Sequence, residues 1–132
     1  MTVSPSSLTL GHVTFDAAGA TALATFWSSV LDRPVDEGAT EFFATVGMTS
    51  DEPLRPAFMF IQVPEPPTGK NRIHVDLPAA DWQSEVERVV GVGAIKVGEF
   101  DVYGAKWVTL ADPEGNLFDI AHSGKNSSFF LF

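Results

Sequence analysis

The chain has 132 residues, of which 45% are hydrophobic and 19% are charged, a balance that predicts one globular domain over 1–132 rather than disorder. The net charge is −9 and the eight Lys and Arg residues are scattered, which argues against a nucleic-acid partner and against an anionic membrane surface. The absence of cysteine excludes disulfides, thiolate nucleophiles and Cys-ligated zinc together.

The N-terminal sequence predicts a cytoplasmic protein. Its first seven residues, Met-Thr-Val-Ser-Pro-Ser-Ser, contain neither the basic region nor the apolar region of a signal peptide. No apolar run approaches the roughly 20 residues that a membrane helix needs. A soluble protein with no membrane partner is therefore expected.

The first half of the chain predicts one helix and four strands. Residues 8–16 are rich in β-branched and apolar residues, which is typical of a strand. Apolar residues at helical spacing predict a helix over 19–31, which ends before Arg33-Pro34 because proline disfavours helical geometry in the residue before it. Short strands are predicted at 33–37, 41–47 and 57–63.

The second half repeats this order after a polar, proline-rich connector, residues 64–71. A strand is predicted at 72–77 and a helix at 81–92, with Asp81 as its N-cap. The sequence Asp-Pro-Glu-Gly-Asn at 112–116 predicts a turn. The remaining strands are predicted at 94–98, 106–111 and 117–121. Both halves therefore read β-α-β-β-β, as expected for an internal repeat.

Two histidines occupy matching places in this repeat. His12 lies seven residues before Gly19, and His74 lies seven residues before Asp81, where the two predicted helices begin. The histidines are 62 residues apart (74 − 12), which is close to half of the chain. They are therefore expected at equivalent points on equivalent strands.

The two halves resemble the vicinal oxygen chelate superfamily, in particular its small glyoxalase-like members. The resemblance is carried by residues 12–31, by Asn-Arg-Ile-His-Val-Asp-Leu at 71–77, and by 107–120 with its turn. It implies an α+β fold in which two tandem βαβββ modules, about 8–63 and 72–121, form a cupped mixed β-sheet with flanking helices. The superfamily includes isomerases, epimerases, ring-cleaving dioxygenases, fosfomycin-type resistance transferases and metal-free binding proteins, so the activity depends on the site.

The resemblance implies a set of metal ligands. In this superfamily they come from the first and last strands of each half, and the matching positions are His12, Gln62, His74 and Asp119. Gln62 and Asp119 are each the lone polar residue at the centre of an apolar strand. Two imidazoles and a carboxylate suit Fe(II), and with Gln62 they suit Zn, Ni, Mn or Co acting as a Lewis acid.

Asp76 is the candidate catalytic residue. It is two residues from His74, so strand alternation places it on the same face. There it could act as a base, contact the substrate or pair with a nearby cation. His122 has the opposite parity to Asp119 and is predicted to point outward.

These features predict a metal-dependent enzyme that acts on a small molecule through bidentate oxygen chelation, as a lyase, isomerase or dioxygenase. The alternative is a metal-free protein that sequesters an apolar or aromatic compound, as in the bleomycin-resistance branch, because aromatic strand residues suit such a pocket. The resemblance also implies a homodimer, and the apolar tail at 127–132 fits a surface that covers a second subunit.

Overall fold

The computed structural model describes residues 5–123, and its elements follow the predicted α+β order. The N-terminal module consists of β1 (His12–Ala17), α1 (Ala20–Leu31), β2 (Phe43–Val46) and β3 (Ala57–Gln62). The C-terminal module consists of β4 (Asp76–Ala79), α2 (Trp82–Gly91), β5 (Ile95–Val102), β6 (Ala105–Ala111) and β7 (Leu117–His122). The apolar tail predicted at 127–132 lies outside the described residues.

Each module forms its own mixed sheet. The N-terminal sheet has the order β1-β3-β2, and the C-terminal sheet has the order β4-β7-β6-β5. In both sheets the first strand of the module pairs in parallel with the last, whereas the other neighbours are antiparallel. The predicted repeat is therefore present in the strand order of both sheets.

The strand predicted at 33–37 is reduced to a single β-bridge at Val35. Pro34 has no N–H to donate, so it cannot extend the ladder. The buried carboxylate of Asp36 holds this segment instead by accepting a hydrogen bond of 2.6 Å from Thr45 Oγ1. Burial raises the pKa of Asp36, but the hydrogen bonds from Thr45 and from backbone N–H groups outweigh it and hold the pKa below its ordinary value.

Three other strands differ from the prediction by four residues at one end, and the rest by one or two residues. β1 begins at His12 rather than at residue 8, and β4 begins at Asp76 rather than at residue 72. β5 continues to Val102 rather than ending at residue 98. Tyr103 and Gly104 both have positive φ (52° and 83°), which suits a two-residue hairpin turn; β5 then pairs with β6 from Val102 back to Ile95, with one bulge between Lys96 and Gly98.

Both helices are short. α1 has 12 residues and α2 has 10. Within residues 5–123, no helix combines the length and the apolar character needed to cross a membrane. Asp81 precedes α2 as predicted, but its side chain makes no capping hydrogen bond.

The hydrophobic core is continuous across both modules. Trp27 of α1 is fully buried near its centre. The centroid of its ring lies 5.4 Å from those of Phe15 and Phe58 in the N-terminal sheet, and 4.8 Å from that of Phe118 in β7. One aromatic side chain therefore packs against both sheets.

Polar contacts also attach α1 to the C-terminal module. At the start of the helix, the Glu114 carboxylate accepts hydrogen bonds from the N–H groups of Ala18 and Gly19. At its end, the Arg88 guanidinium donates to the carbonyl groups of Ser29 and Val30. An anion at the N-terminus and a cation at the C-terminus both interact favourably with the helix dipole.

The turn predicted at 112–116 is confirmed, and its first residue is a buried anchor. Asp112 is 2% exposed. Its Oδ1 accepts the N–H groups of Glu114 (2.9 Å) and Asn116 (3.0 Å). Its Oδ2 accepts Nε1–H of Trp27 (3.1 Å) and Nδ2–H of Asn116 (2.9 Å). Four hydrogen bonds thus satisfy the buried carboxylate and tie the turn to α1.

We expect Asp112→Asn to lower the free energy of unfolding by about 2–4 kcal/mol, because an amide N–H₂ would then face one of these donors inside the core. Urea denaturation measures the loss. Asp51→Asn, at an exposed position, is the control and should change stability by less than about 0.5 kcal/mol. Equal unfolding midpoints for the two variants would contradict the anchoring role of Asp112.

Candidate metal site

The segment that carries His74 lies against β7 without being part of a strand. Before the histidine, the Asn71 side chain pairs with the backbone of Leu117: Oδ1 accepts its N–H at 2.8 Å and Nδ2 donates to its carbonyl at 3.0 Å. After the histidine, the carbonyl of Val75 accepts the N–H of Asp119 at 3.0 Å. Because a side chain replaces the usual backbone partner, the regular strand begins only two residues after His74.

His74, Asp76 and Asp119 form a cluster whose candidate ligand atoms all lie within 4.8 Å of one another. Nδ1 of His74 is 3.4 Å from Oδ1 of Asp76 and 3.5 Å from Oδ2 of Asp119. The two aspartates are register partners on β4 and β7. The predicted placement of Asp76 beside His74 is therefore confirmed.

Thr109 orients the most buried member of the cluster. It lies opposite Asp119 on β6, and its Oγ1 donates to Oδ1 of Asp119 at 2.6 Å. The strand pattern alone does not single out Thr109, although the turn at 112–116 carries a signal for its pairing. In a hairpin closed by the turn at 112–116, residue 111 lies opposite 117. Two residues further along each strand, Thr109 lies opposite Asp119, as observed.

Burial and a neighbouring carboxylate change the protonation of Asp76. Burial raises the pKa of Asp76, and the adjacent Asp119 raises it further through a hydrogen bond and through its negative charge. His74 acts in the opposite direction but does not cancel these effects. Two ionised carboxylates repel each other at this distance, so the cluster is more stable when it binds a cation or when one carboxylate is protonated.

The donor atoms fit a divalent metal. An imidazole nitrogen and two carboxylate oxygens suit Fe, Mn, Zn, Ni and Co. For ligands about 2.1 Å from an ion, tetrahedral geometry separates neighbouring ligand atoms by roughly 3.4 Å. The 3.4 and 3.5 Å separations at His74 match this spacing and are longer than ordinary hydrogen bonds.

The other two predicted ligands, His12 and Gln62, lie outside this cluster. His12 pairs with Ala57 and Gln62 pairs with Ala17, at opposite ends of the β1–β3 ladder. About five residues of strand, or roughly 16 Å, separate these ends, so one ion in this chain cannot contact both. The Gln62 amide also has a partner, since its Nε2 donates to the carbonyl of Ala18 at 2.9 Å.

Backbone hydrogen bonds show that the two histidines are equivalent in the repeat. The N–H of Val63 donates to the carbonyl of Ala17, and the N–H of Ser123 donates to the carbonyl of Ala79. Ala17 and Ala79 are 62 residues apart (79 − 17), the same offset that separates the histidines. The predicted offset of 62 residues is therefore confirmed, although His12 lies in β1 and His74 precedes β4.

The last strands of the modules have a different offset, which explains why the ligand sets differ. Val63 and Ser123 are 60 residues apart (123 − 63), so Asp119 corresponds to Met59 and Gln62 corresponds to His122. Methionine offers no carboxylate at the position of Asp119. The N-terminal module therefore lacks the strand partner that completes the cluster in the C-terminal module.

His122 does not point into solvent as predicted. It is half-buried, and the centroid of its ring lies 6.3 Å from that of Trp82 on α2. It keeps the opposite parity to Asp119, so it remains separate from the cluster.

A cleft of about 690 Å³ lies between the modules. Phe15 and Ile73 contribute apolar surface to it, while Glu114 and Asn71 contribute polar groups. A mostly apolar cleft with a few polar groups suits a small molecule. His74 also lines the cleft, whereas Asp76 and Asp119 do not, so the cleft and the cluster meet at the imidazole.

The sequence profile of the family described as "Glyoxalase-like domain" matches residues 12–121. The chain therefore belongs to the glyoxalase-like domain family, within the glyoxalase/bleomycin resistance/dioxygenase group that the sequence resembles. A comparison with curated proteins found no match.

Solved structures share the fold at low sequence identity. A glyoxalase/bleomycin resistance protein/dioxygenase family enzyme from Burkholderia phytofirmans PsJN is 16% identical, with TM-score 0.71 over 87% of this chain and 98% of that chain. A glyoxalase/bleomycin resistance protein/dioxygenase from Nocardioides is 13% identical, with TM-score 0.68 over 95% and 89%. The genomically encoded fosfomycin resistance protein FosX from Listeria monocytogenes is 12% identical, with TM-score 0.66 over 94% and 97%. These similarities establish the fold.

We expect Asp76→Asn to raise the thermal midpoint of the chelator-treated protein at pH 7. The folded-state pKa of Asp76 lies above its ordinary value of 3.8, so ionisation at higher pH costs folding free energy that the amide avoids. The difference from wild type should shrink as the pH falls through the raised pKa towards 3.8, where both states become protonated.

Thermal unfolding at a series of pH values measures this effect. Asp101→Asn, at an exposed position on β5, is the matched control and should show no such pH-dependent gain. An Asp76→Asn variant that is less stable than wild type at every pH would contradict the assigned cause.

Proposed function

We propose that this protein is a metal-dependent glyoxalase-like enzyme that acts on a small molecule by bidentate oxygen chelation, in a lyase, isomerase or dioxygenase type of reaction. The observation that supports this function is the cluster of His74, Asp76 and Asp119, whose spacing suits a divalent ion. The metal is one of Fe, Mn, Zn, Ni or Co. His12 and Gln62, which the family resemblance also implied, are not part of the proposed set.

The three residues contribute in different ways. Bound in this cluster, a divalent ion would act as a Lewis acid for two adjacent substrate oxygens. Asp119 has only 11% of its side chain exposed and is anchored by Thr109, so we assign it a fixed ligand position. The Asp76 side chain is 38% exposed and lies 3.4 Å from Nδ1 of His74, so we assign it either as a more accessible ligand or as the base that accepts a substrate proton.

The second candidate function is metal-free sequestration of an apolar or aromatic compound. The cleft between the modules supports it, because Phe15 and Ile73 give it an apolar wall that needs no ion to bind a ligand. The two functions differ in whether the cluster takes up a metal.

We expect metal-free protein, reloaded anaerobically with Fe, Mn, Zn, Ni and Co in turn and then desalted, to retain one of them at about one ion per chain. Elemental analysis measures the content. His74→Ala and Asp119→Asn should lose the ion because each removes a ligand. His12→Ala is the matched control and should retain it, because His12 lies outside the cluster.

Asp76→Asn separates the two roles of that residue. Loss of the ion would identify Asp76 as a ligand, whereas retention with loss of turnover would identify it as the base. No retention of any metal by the wild-type protein, or full retention by both His74→Ala and Asp119→Asn, would overturn the proposed site. A ligand screen for the sequestering function would then follow.

A graded effect is expected for Thr109→Val. The substitution removes the hydrogen bond that orients Asp119 but leaves all three ligands, so we expect metal affinity to fall by about 10- to 100-fold. Competition with a chromophoric chelator measures the affinity. Thr14→Val, at an exposed position on β1, should bind as wild type, and equal affinities for both variants would contradict the orienting role.

A homodimer and a cytoplasmic location complete the proposal. The dimer follows from the family resemblance and from the apolar sequence at 127–132. The homodimer and the cytoplasmic location are predicted from the sequence alone.

A further inference from the structure

The cleft between the modules is bordered by the edge of a strand rather than by its face. Six consecutive residues, 13–18, line it along β1. Because consecutive side chains of a strand point to opposite faces of the sheet, a run of this kind exposes the backbone edge to the cleft. β1 is the outermost strand of its sheet, and within residues 5–123 no other strand pairs with this edge.

The backbone groups of Thr14 and Asp16 point to this open edge. The carbonyl groups of Gly11 and Ala17 accept hydrogen bonds from β3 and from the residue that follows it, so the odd-numbered residues of β1 face β3. Backbone groups of successive strand residues point to alternate sides, so those of Thr14 and Asp16 face the cleft. In the part of the chain that the structure describes, these groups form no hydrogen bond with the protein.

The opposite wall of the cleft has a second open edge. There the lining residues are 73–75, directly before β4, which is the outermost strand of the C-terminal sheet. The carbonyl of Val75 accepts a hydrogen bond from β7, so the backbone groups of His74 point away from β7. The cleft thus separates two strand edges, and an unpaired edge is a template for the addition of another strand.

The charged groups of the cleft are of one sign. Its lining contains the carboxylates of Asp16, Glu65 and Glu114, and among the described lining residues there is no lysine or arginine. Glu114 accepts hydrogen bonds at the start of α1. None of the ion pairs within residues 5–123 involves Asp16 or Glu65. Two exposed carboxylates of the cleft therefore have no cationic partner among the described residues.

Side chains on the two faces of β1 specify the pattern of an added strand. Phe15 is half-buried and packs against the hydrophobic core, whereas Thr14 and Asp16 lie on the opposite, exposed face. Residues of an added strand that lie on the face of Phe15 meet an apolar surface, and residues on the face of Asp16 meet a carboxylate. A strand in which apolar and basic residues alternate matches both faces.

We propose that the cleft binds an extended peptide of alternating apolar and basic residues, which pairs with the edge of β1 and places lysine or arginine beside Asp16 and Glu65. The cleft volume of about 690 Å³ lies in the range of ligand-binding pockets. Backbone hydrogen bonds to β1 supply the affinity, and the carboxylates supply the preference for basic side chains. The partner is a basic, extended segment of another polypeptide. This binding needs no ion at the cluster, so it stands apart from the proposed function.

Three blocked pentapeptides test this surface on the full-length chain. The first has valine at positions one, three and five and lysine at positions two and four. The second has glutamate in place of both lysines, and the third is the lysine peptide with methylated backbone nitrogens. We expect calorimetric titration to show about tenfold tighter binding of the lysine peptide than of the glutamate peptide, because attraction replaces repulsion at two exposed carboxylates. Methylation should weaken binding by about tenfold or more, because it removes backbone hydrogen bonds.

Two charge-neutralising variants test the carboxylates. Asp16→Asn and Glu65→Gln should each reduce the preference for the lysine peptide to about threefold, because each removes one of the two attractive contacts. Asp51→Asn and Glu87→Gln are the matched controls. Both positions are exposed and lie outside the cleft, so these variants should keep the tenfold preference.

Thr14→Pro tests the strand edge itself. The N–H of residue 14 points away from β3, so proline removes a free donor without removing a hydrogen bond of the sheet. The affinity for the lysine peptide should fall by about tenfold or more. Thr14→Val keeps the N–H and should bind as wild type. The methylated peptide tests the same contact on the wild-type chain, even if Thr14→Pro does not fold.

Each other outcome overturns the proposal and leaves the proposed function standing. Equal affinities for the lysine peptide and its methylated form, or no binding of the lysine peptide, would exclude strand addition. A full preference for lysine in both Asp16→Asn and Glu65→Gln would exclude the carboxylates as its cause. Loss of peptide binding after chelator treatment would place the peptide at the metal cluster instead. Self-association that is lost in Thr14→Pro, without peptide binding to wild type, would make the edge an interface between copies of this chain.

Discussion

The buried carboxylate of Asp112 is the contact on which the arrangement of the two modules depends. It accepts a hydrogen bond from Trp27, whose ring packs against both sheets, and it shapes the turn between β6 and β7. The same turn supplies Glu114 to the start of α1. Because this turn also sets the register that brings Thr109 to Asp119, one hairpin both joins the modules and builds the candidate metal site.

The two modules have the same strand order but use it differently. Their histidines are equivalent, yet only the C-terminal module has a carboxylate on its last strand at the matching position, since Met59 takes the place of Asp119. In the N-terminal module, the Gln62 amide closes the end of the sheet by binding a backbone carbonyl. The repeat thus gives the N-terminal module a histidine equivalent to His74 but no carboxylate beside it. His12 therefore lies apart from the cluster of His74, Asp76 and Asp119.

The candidate site combines a rigid part with a more exposed part. Asp119 is buried and bound by Thr109, and His74 lies in a segment held at both ends by hydrogen bonds to β7. Asp76 is more exposed and has a raised pKa. Phe100 and Trp107 extend the same face of the sheet with a flat apolar surface. Side chains on paired strands are held more precisely than side chains on a free loop. This face of the C-terminal sheet is therefore suited to bind an ion and to orient a ligand.

The sequence by itself determined the β-α-β-β-β repeat, the equivalence of the two histidines and the shared face of His74 and Asp76, because these follow from local periodicity and from spacing along the chain. Tertiary structure decided which of the predicted polar side chains were free to bind an ion and which were used in contacts within the fold. It placed Asp119 beside His74 and Asp76, used the Gln62 amide for a backbone contact and reduced the strand at 33–37 to one bridge. Those outcomes depend on which strand lies opposite which residue, and a pattern that repeats every two or every 3.6 residues contains no information about partners distant in sequence.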